Sequence, residues 1–367
     1  MDLCNLRQIY AASVRIRGEG EGLCVPDFPG LGLAGMKIPR LDALVLNAGM
    51  IGIEGIRWGP AIWDCIVNTA EAMTYWEHNI PSLGRRVGKQ IQEKDGMVSE
   101  GEEPALGEVF CANVFGHYVL AHELMPLLHA TEGSERQEGD RGRIVWISSL
   151  EALDNSFNME DLQALSAKET TDPYRSSKRR TDILVLTSDL PSVQKISAPY
   201  FRASKERDDG AATKPAMYLA HPGICATSII PLPLVLTWGM LLGFYFARLL
   251  GSVWHTISTF KGAVAVSWLI LADSSFLDSC EDRDGKSKWG SSTDRLGEER
   301  VRRTWVPGWG FGGKALGGWN KVNGVKRDTI PLTREDRETF EDVGRKIWTD
   351  MEELRIRWET LLKQQSL

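Results

Sequence analysis

Residues 41–272 predict an open α/β sheet, doubly wound and mainly parallel. Two observations carry this. Short apolar runs alternate with helical patterns along this stretch. Several of those runs also end on small polar or turn residues: Asn47-Ala48-Gly49, Ser148-Ser149 and Pro222-Gly223. In an open parallel sheet the ligand sits beyond the carboxyl ends of the strands, so these three endings converge on one place.

The elements follow in order. Met1 to Leu6 reads as the end of a strand, and Arg7 to Arg17 as a helix with Tyr10 and Val14 on one face. Gly18 to Gly35 is glycine-rich, and Gly30-Leu31-Gly32-Leu33-Ala34-Gly35 has the letters of a dinucleotide fingerprint. That motif needs a strand before it and a helix after it, and Val25–Pro29 and Met36–Pro39 supply neither. Leu41–Leu46 is a strand of near-continuous apolar character, as in a buried parallel sheet. Residues 50–101 form an insertion with Trp58, Trp63, Tyr75 and Trp76, too long for a plain loop and expected to contain helices. Leu106 to His129 is helical. Residues 131–142 are a polar loop, 143–148 a strand, and the helix opening at Pro173 runs to about Ser188. Residues 195–214 read as loop, 216–220 as a strand and 260–272 as an apolar helix. From 273 to 330 periodicity fades, and an extended surface segment is expected. Thr333-Arg334-Glu335-Asp336 resembles a capping box, and Phe340, Val343, Ile347, Met351, Leu354 and Trp358 give the helix behind it one apolar face. This reading divides the chain into a domain at 1–275 and an extension at 276–367.

Composition narrows the function. The net charge of −6 gives no reason to expect nucleic acid as a partner. Six scattered cysteines without a Cys-x-x-Cys pair argue against a zinc site and for a reducing compartment. His117, His122 and His129 lack metal-ligand spacing, so no metal is expected. Ser228 to Ala247 carries no charge, which suits a membrane span in length. Pro231, Pro233, Gly239 and Gly243 interrupt it, so residues 228–257 read better as an apolar flap seated on a membrane surface.

The chemistry centres on Asp172-Pro173-Tyr174-Arg175-Ser176-Ser177-Lys178. Asp172 suits a helix cap and Pro173 the first turn. Tyr174 and Lys178 then share one helix face. An ammonium beside a phenol favours the phenolate and is expected to lower its pKa, which makes a proton donor or acceptor for a carbonyl or alcohol oxygen.

With Asn47-Ala48-Gly49, Asn113, Ser148-Ser149 and Pro222-Gly223 in this order, the chain resembles the short-chain dehydrogenase/reductase superfamily over about residues 1–275. That implies a Rossmann-like fold. Three features narrow the resemblance to the fungal 3-keto-steroid reductases of sterol C-4 demethylation: the Trp-rich insertion, the long interval from Ser149 to Tyr174, and the apolar segment behind His221-Pro222-Gly223. The resemblance implies NADPH-dependent reduction of a sterol 3-ketone to the 3β-hydroxyl, at the cytosolic face of the endoplasmic reticulum membrane, beside other enzymes of sterol C-4 demethylation. Its implied catalytic residues are Tyr174, Lys178, Ser149 or Ser148, and Asn113. Its implied cofactor contacts are Asp2, Asn47, Ala48, Gly49, Tyr174, Lys178, Pro222, Gly223, Cys225 and Thr227. The family's Thr-Gly-x-x-x-Gly-x-Gly turn is not found, and Asp2 matches a position after the family's third strand. On this reading the sequence is N-terminally truncated, with the Leu41–Leu46 edge unpaired and NADPH binding weakened. A non-catalytic membrane- or partner-binding relative and a reductase of another apolar ketone are the alternatives.

Overall fold

The structure, a computed structural model, describes residues 1–18, 38–68, 72, 76–91, 103–129, 141–166, 168–202, 214–227, 234–314 and 332–365. The Gly30–Gly35 motif, Tyr75, most of 131–142 and residues 228–233 lie outside them.

Helix α1 (Leu6–Ile16) opens on Asn5, whose side chain accepts from the amide of Gln8. Residues before it form a turn, not the strand end expected. Strand β1 (Ala43–Leu46) follows. The insertion then folds as β2 (Ile53–Ile56), α2 (Trp58–Val67) and β3 (Asn79–Pro81), with β2 and β3 paired antiparallel. The small sheet was not expected, because Ile53-Glu54-Gly55-Ile56 is too short to show a period. Helix α3 (108–123) contains a wide π turn, Cys111–Phe115, and α4 (Met125–Leu128) completes the stretch.

Strand β4 (Arg143–Ile147), α5 (Pro173–Thr187), α6 (Pro191–Phe201) and β5 (Ala216–His221) come next. Helix α6 replaces part of the loop expected at 195–214, with Pro191 in its first turn. Beyond β5 lie α7 (Leu234–Leu249), α8 (Thr259–Gly262), α9 (Val264–Leu271) and α10 (Ser274–Asp284). Strands β6 (Lys288–Thr293) and β7 (Glu299–Thr304) correct the expectation of an extended surface segment. The boundary expected at 275 is thus crossed by the main sheet. Lys, Arg and Ser dominate these strands, so no hydrophobic alternation announced them. The long α11 (Arg334–Gln365) ends the described chain.

The main sheet has the order β1-β4-β5-β6-β7, parallel except for β7. This is the expected α/β class. Ile144, Trp146, Met217 and Leu219 pack on one face with α1, α3, α5, α6 and α11. Val145, Ile147, Tyr218 and Ala220 pack on the other with α9 and α10. The alternation is the period of two of a β-strand. Strand β1 lies at the edge of the described sheet, and only Leu46 of its four residues is fully buried.

Helix α11 is bolted to the first face by polar contacts within the core. Arg355 makes two parallel bonds to Glu352 at 2.9 Å, Tyr118 donates to Glu352 at 2.6 Å, and Trp348 donates to the Leu184 carbonyl at 3.0 Å. His122 accepts from Arg355 at 3.1 Å and donates its other ring N–H to the Tyr200 carbonyl at 2.8 Å. Removing one partner of a buried ion pair strands the other, at a cost of about 3–5 kcal/mol. Arg355→Met is therefore expected to destabilise the fold by about 3 kcal/mol, read as a lowered midpoint of urea unfolding at unchanged slope.

Candidate active site

Three strand ends and two helices build the site. Asp172 caps α5 by accepting from the Arg175 amide at 3.0 Å, and Pro173 occupies the first turn. This start sets Tyr174 one turn ahead of Lys178, with the Lys178 ammonium 5.8 Å from the centre of the Tyr174 ring. Tyr174 is partly exposed and Lys178 is buried. Lys178 Nζ donates to the Ile147 carbonyl, the last residue of β4, at 2.8 Å.

The two serines after β4 have different environments. Ser148 is buried, and its hydroxyl donates to Asp182 Oδ1 on α5. Ser149 turns the other way: its hydroxyl accepts from the Glu151 amide at 3.1 Å, and its side chain favours the phenolate of Tyr174. Ser148 is committed to Asp182, and Ser149 is the serine that acts on Tyr174.

Asn113 sits in the π turn of α3, a feature often found at functional sites. Its side chain clamps the backbone of Met50 from both sides, accepting from the amide at 2.8 Å and donating to the carbonyl at 2.9 Å. It also donates to Ser177 Oγ at 3.0 Å. The clamp holds the exposed Asn47-Ala48-Gly49 turn over α5. A Cβ at Gly49 would come 2.8 Å from Asn113 Oδ1 and 3.9 Å from Lys178 Nζ.

The Pro222-Gly223 turn is held by His221, which accepts from the Gly223 amide at 3.1 Å and donates to Thr304 Oγ1 at 2.6 Å. Gly223 has φ +73, and a Cβ there would lie 2.5 Å from the Trp254 carbonyl. Beyond it, Cys225 is half-buried with its thiol 3.2 Å from Thr256 Oγ1, and Thr227 is exposed. Asp2 precedes Leu3, whose carbonyl accepts from the Cys111 thiol at 3.5 Å in the π turn that carries Asn113. The carboxylate of Asp2 accepts from the Cys4 amide at 2.9 Å, and it lines a polar groove of about 510 Å³ with Arg86, Lys89 and Gln90. The histidines singled out in the sequence serve packing: His117 faces the Asn113 carbonyl at 3.3 Å and the edge of Trp146, and His129 bonds the Phe201 carbonyl at 2.7 Å.

The electrostatics differ from the expected lowering of the tyrosine pKa. Burial dominates and pushes Tyr174 up to about 12; the bond from Ser149 opposes this, and the carboxylates of Glu151 and Asp172 add to it. Burial also lowers Lys178 to about 8, with Asp182 pulling upward and Lys288 downward. Lys178 stands over the ring face and spends a donor on Ile147, so its charge is not directed at the phenol oxygen.

Several residues of the site were not singled out from the sequence. Glu151 is pushed up to about 7 by burial, against the pull of Arg175 at 2.5 Å. Arg175 also donates to the Trp76 carbonyl at 2.7 Å, which ties the insertion to α5. Asp182 and Lys288 form an ion pair at 2.7 Å beneath the site. Asp182, one turn beyond Lys178 on the same face, was the available signal.

A serine, a tyrosine and a lysine at the carboxyl ends of a parallel sheet form the layout of a dehydrogenase/reductase of the short-chain class. No family model matches the chain. It is 42% identical over 339 residues to the 3-keto-steroid reductase of Aspergillus fumigatus, covering 89% of this chain and 73% of that one. It is 36% identical over 378 residues to the 3-keto-steroid reductase of Gibberella zeae, covering 99% and 76%. A third relative, the 3-keto-steroid reductase of Schizosaccharomyces pombe, is 33% identical over 273 residues, covering 73% and 64%. The chain belongs to the fungal 3-keto-steroid reductase family.

Gly223→Ala is expected to destabilise the fold by about 2 kcal/mol or more, since it combines a left-handed backbone with a clash against a carbonyl. Thermal unfolding checks this.

Proposed function

We propose that this protein reduces the 3-ketone of a sterol to a 3β-hydroxyl in sterol biosynthesis, with NADPH as reductant. The observation that carries the reading is Tyr174 one helical turn from Lys178, with Ser149 acting on the phenol, in a chain similar over nearly its whole length to 3-keto-steroid reductases.

The residues present fit the nicotinamide-ribose end of such a cofactor. Gly49 lets its turn close against Asn113 near Lys178, Pro222-Gly223 form the turn at the end of β5, and Asn47, Ala48 and Thr227 are open to solvent. Cys225 and Asp2 are the remaining contacts the resemblance implies. The bound group supplies hydride to the ketone carbon. Ser149 donates to the ketone oxygen and stabilises charge developing there. Tyr174 gives that oxygen its proton. A phenol near 12 stays protonated at neutral pH, and an alkoxide is more basic still, so the proton moves downhill in the direction of reduction. Lys178 supplies positive charge at the floor of the site. Asn113 holds the Met50 backbone so that the turn before it keeps its place.

An apolar substrate suits the surroundings. Helix α7 exposes Leu234, Val235, Trp238, Leu242, Tyr245, Phe246 and Leu249, and packs inward mainly through Phe244 and Ala247. Contiguous apolar surface of this kind marks an interaction site. No helix of the described residues is long and apolar enough to cross a membrane. Seating α7 on the cytosolic face of the endoplasmic reticulum membrane, near other enzymes of sterol C-4 demethylation, is part of this proposal. Phe246 and Leu242 are the residues to test: their joint replacement by Glu is expected to abolish flotation with phosphatidylcholine vesicles while circular dichroism stays unchanged.

Assay of the purified protein with a 3-keto sterol and NADPH tests the function. Preference for a non-sterol ketone, or no turnover with intact membrane binding, would overturn it. Tyr174→Phe is expected to remove turnover, and Ser149→Ala to lower kcat about 100-fold. Lys178 is cationic below about pH 8 and neutral above it, so ketone reduction is expected to decline as pH rises through 8; a pH–rate profile checks the sign.

A further inference from the structure

The end of β4 is pinned at three successive residues by three charged side chains. Lys178 Nζ holds the Ile147 carbonyl at 2.8 Å. Asp182 Oδ1 accepts from the Ser148 hydroxyl. Lys288 Nζ holds the Ser149 carbonyl at 2.6 Å and Asp182 Oδ2 at 2.7 Å. The Asp182 and Lys288 side chains are 0% and 3% exposed. Lys288 belongs to β6, two strands away, where it stands opposite Leu219, itself opposite Trp146. Side chains in register point to the same face, so Lys288 reaches under the site from the α5 side.

A buried ion pair is a poor way to stabilise a fold, since an apolar pair of similar volume does as well or better. This one is placed to satisfy backbone and hydroxyl groups of the turn that presents Ser149 to Tyr174. We propose that Asp182 and Lys288 are positioning residues of the reductase site: together they fix the Ser148-Ser149 turn so that the Ser149 hydroxyl meets the Tyr174 phenol and the ketone oxygen. The proposal rests on the function proposed above, which supplies the reaction. Neither residue touches the reacting atoms.

The pair also governs the charge around Lys178. Facing Lys178 are Asp182 on its own helix, Lys288 on β6 and His117 on α3; burial lowers His117 to about 4, so it is neutral near pH 7. Asp182 is shared between Lys288, which it pairs with directly, and Lys178, which it helps to keep charged against burial and the repulsion of Lys288. Removal of Asp182 alone leaves two lysines without a buried counter-charge. Removal of both takes away opposed influences on Lys178.

The experiment compares Asp182→Asn, Lys288→Met, Lys288→Arg and the double variant Asp182→Leu/Lys288→Met. One readout is independent of turnover: hydrogen exchange at the amides of 148–151, measured beside those of β5 and α9. In the double variant, exchange at 148–151 is expected to rise at least tenfold while β5 and α9 keep their protection. In the assay with ketone and NADPH, kcat is expected to fall at least tenfold with KM for the ketone within threefold. Asp182→Asn is expected to move the alkaline limb of the pH–rate profile to lower pH, and the double variant to return it. Lys288→Arg is expected to restore most of the turnover lost in Lys288→Met. The double variant guards against a single variant that does not fold. A folded double variant with unchanged exchange at 148–151 and parental kcat would overturn the positioning role. A parent without ketone reduction would overturn the function instead, and the exchange comparison would still decide the role of the pair in the turn.

Discussion

The structure depends on burying a helix that carries too much charge to be buried unaided. Along α5, Lys178, Arg179, Arg180 and Asp182 are all among the least exposed residues of the chain. Each charge has to be answered in a medium that solvates it poorly. Lys178 is met by the Ile147 carbonyl, Arg179 by Asp154 and the Pro307 carbonyl, and Asp182 by Lys288 and Ser148. Arg180 lies over the rings of Phe110 and Phe157 at 4.9 and 5.7 Å. The partners come from β4, β6, α3 and the segments at 154 and 307. Packing of this helix therefore draws distant parts of the chain together.

This explains why the site is rigid where it acts. The phenol and Ser149 are held from behind. Asp172 fixes the first turn of α5, and the turn after β4 is pinned at successive residues. Asn113 secures the backbone before β2 from the opposite side through its π turn. The same burial that organises these groups also raises the phenol and lowers the lysine, since both pay the desolvation of their charged forms.

Much of this was legible in the sequence, and the gaps have physical causes. The alternation of apolar runs with helical spacing gave the parallel strands β1, β4 and β5, because those runs are near-continuously apolar. Strands β6 and β7 were missed because Lys288, Ser291, Ser292 and Arg300 to Arg303 carry no such pattern. Their side chains bond to neighbouring elements or reach the rim. Composition is equally silent on α5, where Arg175 to Asp182 are all polar and yet all but Arg175 are buried. The four-residue spacing of Tyr174 and Lys178 was visible, but the direction of the tyrosine shift was not. Spacing says that two groups are near and says nothing of how far both are removed from water. The different surroundings of Ser148 and Ser149 also needed three dimensions, since only the path of the chain after Ile147 decides which hydroxyl turns toward Asp182.

Arg175 links the insertion to this machinery. Its guanidinium holds the Trp76 carbonyl, Glu151 and Asp172 at once. A molecule wedged beneath Trp76 would pull the guanidinium away and leave Glu151 without its counter-ion a short distance from the phenol. The insertion thus bears on the charge beside Tyr174, since Glu151 helps to hold the phenol protonated.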